Sequence, residues 1–347
     1  MTVVYILAAI LIFGLLVVIH EGGHYLFARL FRVTINEFSI GMGPKIISKK
    51  SKKTGIAYSL RALPVGGYVS MAGEDEDSFD PNAFCNKPVW KRIIITSSGA
   101  LINIIAGIIV MTILIASSGK LYGTEIHSMK DENPPPYSSS EDGLQAGDVI
   151  LSVGGAKVYT ANDLVYQIMR RGNEPCDIIV RRNGKEVTIV DYSFPTDSEE
   201  GNVFGQPDFY VKEVPKTVGN VIKHAFHRSV SSIKMIWEQF YDLLRGRYSI
   251  KSVSGPVGVT KALGDAAKNG ADTFLYLTAF ISVNLGVVNL FPLPALDGGR
   301  LLFLLIEAVR RKPIPRKVEG YIHMAGLALL LILMVVVTCK DLFGLFT

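Results

Sequence analysis

Five consecutive residues, His20-Glu21-Gly22-Gly23-His24, match the pattern HExxH. On a helix, residues four apart share a face, so both imidazoles can bind one metal ion. The glutamate between them can take a proton from metal-bound water. The run follows directly on Val3 to Ile19, 17 residues without a charge. A polar cluster at membrane depth is costly and is kept there for function. The expected chemistry is therefore zinc held, and water activated, inside a membrane. The two glycines each cost a helix about 1 kcal/mol against alanine. They argue against a merely structural helix and allow close approach of another backbone.

Two histidines do not complete a catalytic zinc site, which needs a third protein ligand and an open position. Asp297, in NLFPLPALDGGRL (289–301), is the best candidate. It follows an apolar stretch interrupted by Pro292 and Pro294, and broken backbone at membrane depth is tolerated only where it is buried or lines a polar cavity. Glu307 is the rival ligand, although its neighbours Arg310 and Arg311 suit a cytoplasmic surface. His224 and His227 form a second close pair without a carboxylate partner and read as polar-face residues. His127 and His323 stand alone.

The elements that must position these groups are apolar. Of 347 residues, 49% are hydrophobic and 19% charged, with a net charge of +5. This balance fits membrane spans joined to a water-exposed part. No interleaving of basic and aromatic residues supports nucleic-acid binding. Cys85, Cys176 and Cys339 form no CxxC pair, so neither a disulfide framework nor a cysteine zinc site is expected. A span needs about 20 apolar residues. Four stretches qualify: residues 3–28, Ile93 to Gly119, Thr273 to Leu296, and Tyr321 to Cys339. A shorter apolar piece, Leu301 to Ile306, reads as helical. The N-terminal run lacks a basic segment before it and a small-residue cleavage site after it, and reads as a retained span.

Basic residues set the orientation. Lys45, Lys49, Lys50, Lys52, Lys53 and Arg61 lie between the first two spans, and Arg310, Arg311, Lys312, Arg316 and Lys317 between the last two. Both loops are expected in the cytoplasm, with both termini and residues 120–272 outside. In the outer segment, GLQAGDVILSVGGAKV (143–158) reads as turn, strand, Gly-Gly turn and strand. DLVYQIMRR (163–171) reads as a helix, and 176–192 as a hairpin turning at Asn183-Gly184. ENPPPYSSSED (132–142) is a loop. Residues 216–245 repeat apolar positions at helical spacing among lysines and arginines. They suit an amphipathic helix on the membrane surface, or equally one packed on its own domain.

HEGGH in the first span together with NLFPLPALDGG after the third resembles the site-2 protease family, the RseP-type, M50-like zinc intramembrane metalloproteases of bacteria. ALPVGGYV (62–69), SGALINI (98–104) and SGPVGV (254–259) agree, as does a single small segment similar to a PDZ domain. The resemblance covers nearly the whole chain. It implies an α-helical membrane protein of about four transmembrane helices with a membrane-entering β-hairpin, plus a small α/β-mixed PDZ-like extracytoplasmic domain. The expected organisation is a protease core at 1–119, the PDZ-like domain at 120–214, a surface helix and linker at 215–271, and the rest of the core at 272–347. The resemblance also implies Zn2+ held by His20, His24 and Asp297, with Glu21 as general base. Asn289, Asn103, Gly66, Gly67 and Tyr68 are implied to bind substrate, the glycine loop pairing with an unwound substrate strand.

The expected activity is cleavage of transmembrane segments of single-span proteins, such as a trimmed anti-sigma factor or remnant signal peptides, in the bacterial cell membrane. The outer domain supplies no catalytic residue and is expected to exclude substrates with bulky outer parts, with peptide capture, a terminal carboxylate bound in a backbone nest, as the rival role. Two other classes are open to the sequence. A non-catalytic membrane scaffold would not need Glu21, and a zinc transporter would carry polar ligands along several spans, of which the second and fourth offer almost none.

Overall fold

The structure is a computed structural model that describes residues 2–130, 143–172, 174–199, 202–245 and 255–346. The proline-rich stretch at 132–142 and residues 246–254 lie outside the described residues. Two compact units emerge, one of Met1–Val110 with Ser232–Thr347, the other of Met111–Ser231.

The first unit is built on long apolar helices. These are α1 (Thr2–Leu30), α2 (Val89–Ser117), α6 (Ala271–Asn289) and α8 (Arg316–Phe346). Four segments within them are long and apolar enough to cross a membrane: Leu7–Leu30, Val89–Ser117, Ala271–Asn289 and Lys317–Asp341. Leu11, Leu15, Ile109, Leu329 and Ile332 lie exposed on their outer faces. Such surface is unfavourable in water but natural against lipid tails. α1 and α2 approach closely at Gly23, where an added Cβ would stand 2.6 Å from the Ser98 carbonyl oxygen. α2 and α6 are tied by Ser282 Oγ, which donates to the Asn103 carbonyl at 2.8 Å.

The third span ends earlier than its uncharged stretch. α6 stops at Asn289, not at Leu296, and the chain turns through 290–296 before α7 (Asp297–Arg310) begins. Proline lacks a backbone N–H and disfavours helical backbone in the residue before it, so Pro292 and Pro294 cannot extend the span. The region expected as a linker also differs, because α5 (Pro256–Lys268) occupies much of it. Pro256 is set in the first turn, where its missing N–H is no loss. Asp341 of α8 caps the helix from outside, accepting from the N–H groups of Gly255 and Gly258 at 2.9 and 2.8 Å.

Between α1 and α2 lie β1 (Ile35–Lys50) and β2 (Ala57–Met71), paired antiparallel. Each strand bends, so Phe38 faces both Val69 and Tyr58, while Tyr58 also faces Lys49. The order across this small sheet is thus 67–71, 35–40, 57–60, 47–50. Gly41 and Gly43, at φ of +83° and +85°, make the bend possible. Among the described residues, the 67–71 segment is an edge.

The second unit is a mixed layer. β3 (Leu121–Met129), β4 (Val149–Val153), β6 (Cys176–Arg182), β7 (Lys185–Tyr192) and β10 (Phe209–Val214) form a sheet in the order β10-β3-β4-β6-β7, and β5 (Ala156–Lys157) pairs with β4. β8 (Thr196–Glu199) and β9 (Asn202–Gly205) form a separate ribbon. β6 and β7 turn at Asn183-Gly184, both at positive φ, as the sequence predicts. α3 (Ala161–Arg171) starts with a capping box between Thr160 and Asp163. Ile150, Val153, Leu164, Ile168, Ile178 and Val180 make up the core.

α4 (Val218–Leu244) covers the stretch read as a surface helix. Its later half is packed on protein. Ile236 joins Val283, Val287 and Phe291 in one buried cluster, and the Trp237 ring lies 4.3 Å from that of Phe291. Val218, Ile222 and Phe226 in the first half are exposed.

Candidate metal centre

The HExxH residues fall in the second half of α1, where the helical repeat puts His20 and His24 one turn apart on one face. Both are buried. Their Nε2 atoms lie 3.3 Å from each other. Asp297, the first residue of α7, brings Oδ2 to 3.1 Å from His20 Nε2 and 3.2 Å from His24 Nε2. Among the described residues this is the one group of histidines, cysteines and carboxylates whose ligand atoms converge in this way.

These spacings suit zinc. A tetrahedral ion with bonds of about 2.0–2.1 Å separates its ligand atoms by about 3.3–3.4 Å. Three such edges are present, and a fourth corner remains for water or substrate. His24 Nδ1 sits 2.9 Å from the Ile95 carbonyl, which can only accept, so that ring carries its proton on Nδ1 and turns the Nε2 lone pair inward. Asp297 Oδ2 is buried and meets no hydrogen-bond donor of good geometry. Converging lone pairs of this kind call for a cation.

The turn that leads into Asp297 is held from several sides. His323 of α8 accepts the Ala295 N–H at Nδ1, 3.0 Å away, and Ala295 has φ of +70°, a conformation costly for a residue with a Cβ. One turn past Asp297, Arg300 binds Glu74 and reaches Asp75 at 2.5 Å. Glu307 is engaged elsewhere. It accepts two bonds from Arg92, at 2.6 and 3.0 Å, and so joins α7 to α2 rather than reaching the histidines. A cavity of about 720 Å³ lies among Glu74, Arg92, Arg300, Glu307, Glu319 and His323, without the three converging ligands in its wall. His224 and His227 lie apart on α4, His227 stacked on Tyr159 at 4.5 Å.

The glycine loop reaches the HExxH motif. A Cβ at Gly67 would lie 3.2 Å from Glu21 Cγ and 2.9 Å from the Ser39 carbonyl. The Val69 backbone N–H lies beside the Glu21 carboxylate. Gly66 adopts φ of +81°. Tyr68 is half-buried, and its hydroxyl accepts from Arg61, which also binds Glu37 at 3.1 Å. Asn289 is the last residue of α6 and is half-buried. Asn103 is wholly buried, its amide 3.4 Å from His20 Nδ1. Arg300 and His323 were not singled out for this site by sequence. The available signal was that an ionisable residue within a span is a functional candidate by default, and His323 fits that description.

An HExxH helix closed by a carboxylate from a second helix, among helices able to cross a membrane, defines a metallopeptidase-type centre in a multi-pass membrane protein. The family model of Peptidase family M50 matches residues 8–333. The chain belongs to that family and is a zinc metalloprotease, with Zn2+ as its cofactor. A Clostridium acetobutylicum protein whose name is that of a zinc metalloprotease is 37% identical over 340 residues, 97% of this chain and 96% of that protein. The zinc metalloprotease RasP of Oceanobacillus iheyensis is 30% identical, covering 98% of this chain and 99% of its own. The regulator of sigma-W protease RasP of Bacillus subtilis is also 30% identical, over 98% and 99% respectively. That last alignment runs over 423 positions against 347 residues here, so the relative carries additional residues.

Proposed function

We propose that the protein is an endopeptidase that cuts the transmembrane segments of single-span membrane proteins, with His20, His24 and Asp297 as zinc ligands and Glu21 as general base. The observation that carries the reading is the convergence of the three ligand atoms beside Glu21, which itself touches the 67–71 edge strand. Bound zinc would supply a Lewis acid for the scissile carbonyl and an acidified water. Glu21 is placed to act as general base toward an attacking water and to pass the proton on to the departing amide nitrogen.

A transmembrane helix hides its amides in its own hydrogen bonds and must unwind before it can be cut. The 67–71 segment lies at an edge of its sheet, where an added strand would exchange with Glu21 at the Val69 N–H and with Glu74 at the Met71 N–H, and Gly67 keeps the approach to Glu21 clear. Asn289 and Tyr68 would hold the substrate beside this edge. The preferred substrates are proteins already trimmed outside the membrane, such as an anti-sigma factor or a remnant signal peptide. The sigma-W name of the Bacillus subtilis relative supports the first. The basic loops favour a bacterial cell membrane location with both termini outside. The sheet and α3 of the second unit support a PDZ-like domain there, acting as a size filter.

Replacing Glu21 by Gln tests the mechanism. Zinc content should be kept while cleavage of a single-span substrate in detergent is lost. Substantial turnover by Glu21→Gln would overturn it.

A further inference from the structure

We propose that Asn103 is a positioning residue for the metal centre, its side-chain carbonyl accepting the Nδ1 proton of His20 and so fixing that ring as a ligand. The inference rests on the zinc-site reading above and assigns Asn103 a task different from substrate contact.

A histidine that binds metal through Nε2 carries its proton on Nδ1, and the acceptor of that proton sets the ring's tautomer and orientation. His24 has such an acceptor in the Ile95 carbonyl, 2.9 Å from Nδ1. His20 stands one turn earlier on α1 and faces α2 one contact further along. There the polar group at its Nδ1 is the Asn103 amide, 3.4 Å away. Ile95, Gly99 and Asn103 are four apart on α2 and form one stripe. Gly99 leaves room for the rings, since a Cβ there would stand 2.9 Å from His20 Cε1. The stripe thus offers a carbonyl, a gap and an amide to the HExxH face.

The orientation of the amide completes the argument. Asn103 Oδ1 is buried without a hydrogen-bond partner among the described residues, while Nδ2 faces His20. Half a turn about the Cβ–Cγ bond exchanges the two ends, and amide ends are assigned from the network they join. The exchange gives Oδ1 the His20 proton and frees Nε2 for the metal. The backbone is fixed meanwhile by the Ser282 hydroxyl on the Asn103 carbonyl. Asn103 is 0% exposed, so a bound strand does not reach it.

The test is zinc affinity of the full-length protein in detergent, measured by competition with a chromogenic chelator, alongside kcat and KM. Asn103→Leu keeps the volume and removes the acceptor. It should weaken zinc binding by about 10–100-fold. Asn103→Asp keeps an acceptor and should bind zinc at least as tightly as the native protein. A cobalt-substituted Asn103→Asp protein should retain the native visible spectrum, and Asn103→Leu should shift it. Native zinc affinity in Asn103→Leu with a raised KM would make Asn103 a substrate contact and overturn the proposal. Equal zinc loss in both variants, with equally lowered melting, would make its role merely structural and overturn it as well. Zinc binding unchanged by His24→Ala would instead sink the zinc-site reading itself.

Discussion

Gly22 and Gly23 are adjacent and chemically identical, yet alanine should act oppositely at the two. At Gly23 the new Cβ would lie 2.6 Å from Ser98 O and 2.9 Å from Gly99 Cα, both backbone atoms. Unstrained contacts are about 3.5 Å, so α1 and α2 would have to part by about 0.9 Å at this level. His24 is the next residue, and its Nε2 stands 3.2 Å from Asp297 Oδ2. Metal bonds tolerate only about 0.2 Å, so the ligand set would open past its limit. A misplacement of about 1 Å in a reacting site costs about 100-fold in rate. Gly23→Ala should therefore lose about two orders of magnitude in cleavage and retain less zinc after dialysis against a chelator. At Gly22 nothing lies within 4 Å of the added carbon. Gly22→Ala should keep both properties and gain about 1 kcal/mol from helix propensity. The assay is the initial rate on a single-span model substrate, with zinc measured by elemental analysis. Equal rates in the two variants, or the greater loss in Gly22→Ala, would refute the close-approach argument.

Three further outcomes follow from other contacts. Asp297→Ala should lower zinc content, whereas Glu307→Gln should leave it unchanged and destabilise the fold by about 1–3 kcal/mol, because it removes the charge and one of the two bonds that hold the half-buried Arg92. The reverse zinc result would move the ligand to Glu307. Asp341→Ala should reduce stability by about 1–3 kcal/mol by uncapping α5, and Asp341→Asn by less, measured by thermal unfolding in detergent. Native melting of Asp341→Ala would show that the cap contributes nothing. For topology, Cys176 is buried and its burial pushes the thiol pKa up, so it should stay unlabelled. In intact cells, Glu174→Cys, at an exposed position, should react with an impermeant thiol reagent, and Cys85 only after the membrane is opened. Labelling of Cys85 from outside would invert the orientation.

What sequence could reveal was local. HEGGH is legible because two imidazoles four apart share a helix face whatever surrounds them. Asp297 was legible as a leading candidate because Pro292 and Pro294 break an apolar run, which is costly in lipid. The Asn183-Gly184 turn and α3 follow from backbone preference alone. The rest depends on partners far away in the chain. Glu307 looked like a surface residue beside Arg310 and Arg311, but its partner is Arg92, 215 positions earlier. α5 could not be distinguished from a linker because its cap, Asp341, lies 86 residues beyond Gly255. The apolar period of α4 did not say what it would meet, and half of it meets Phe291 and its neighbours. The folded-over pairing of β1 and β2 depends on bends at glycines whose effect on register no local pattern announces. Asn103 was visible only as a polar residue in a span, and its relation to His20 appears once α2 lies against α1.

The central claim is that a bond within an apolar segment is hydrolysed by the zinc centre of His20, His24 and Asp297. The most direct measurement reconstitutes the purified protein in lipid vesicles with a single-span peptide and determines both product ends by mass spectrometry. The account predicts a cut inside the apolar segment, lost with a zinc chelator, restored by added zinc and absent in Glu21→Gln. Cleavage confined to the water-exposed flanks, or an unchanged cut in the presence of chelator, would contradict it.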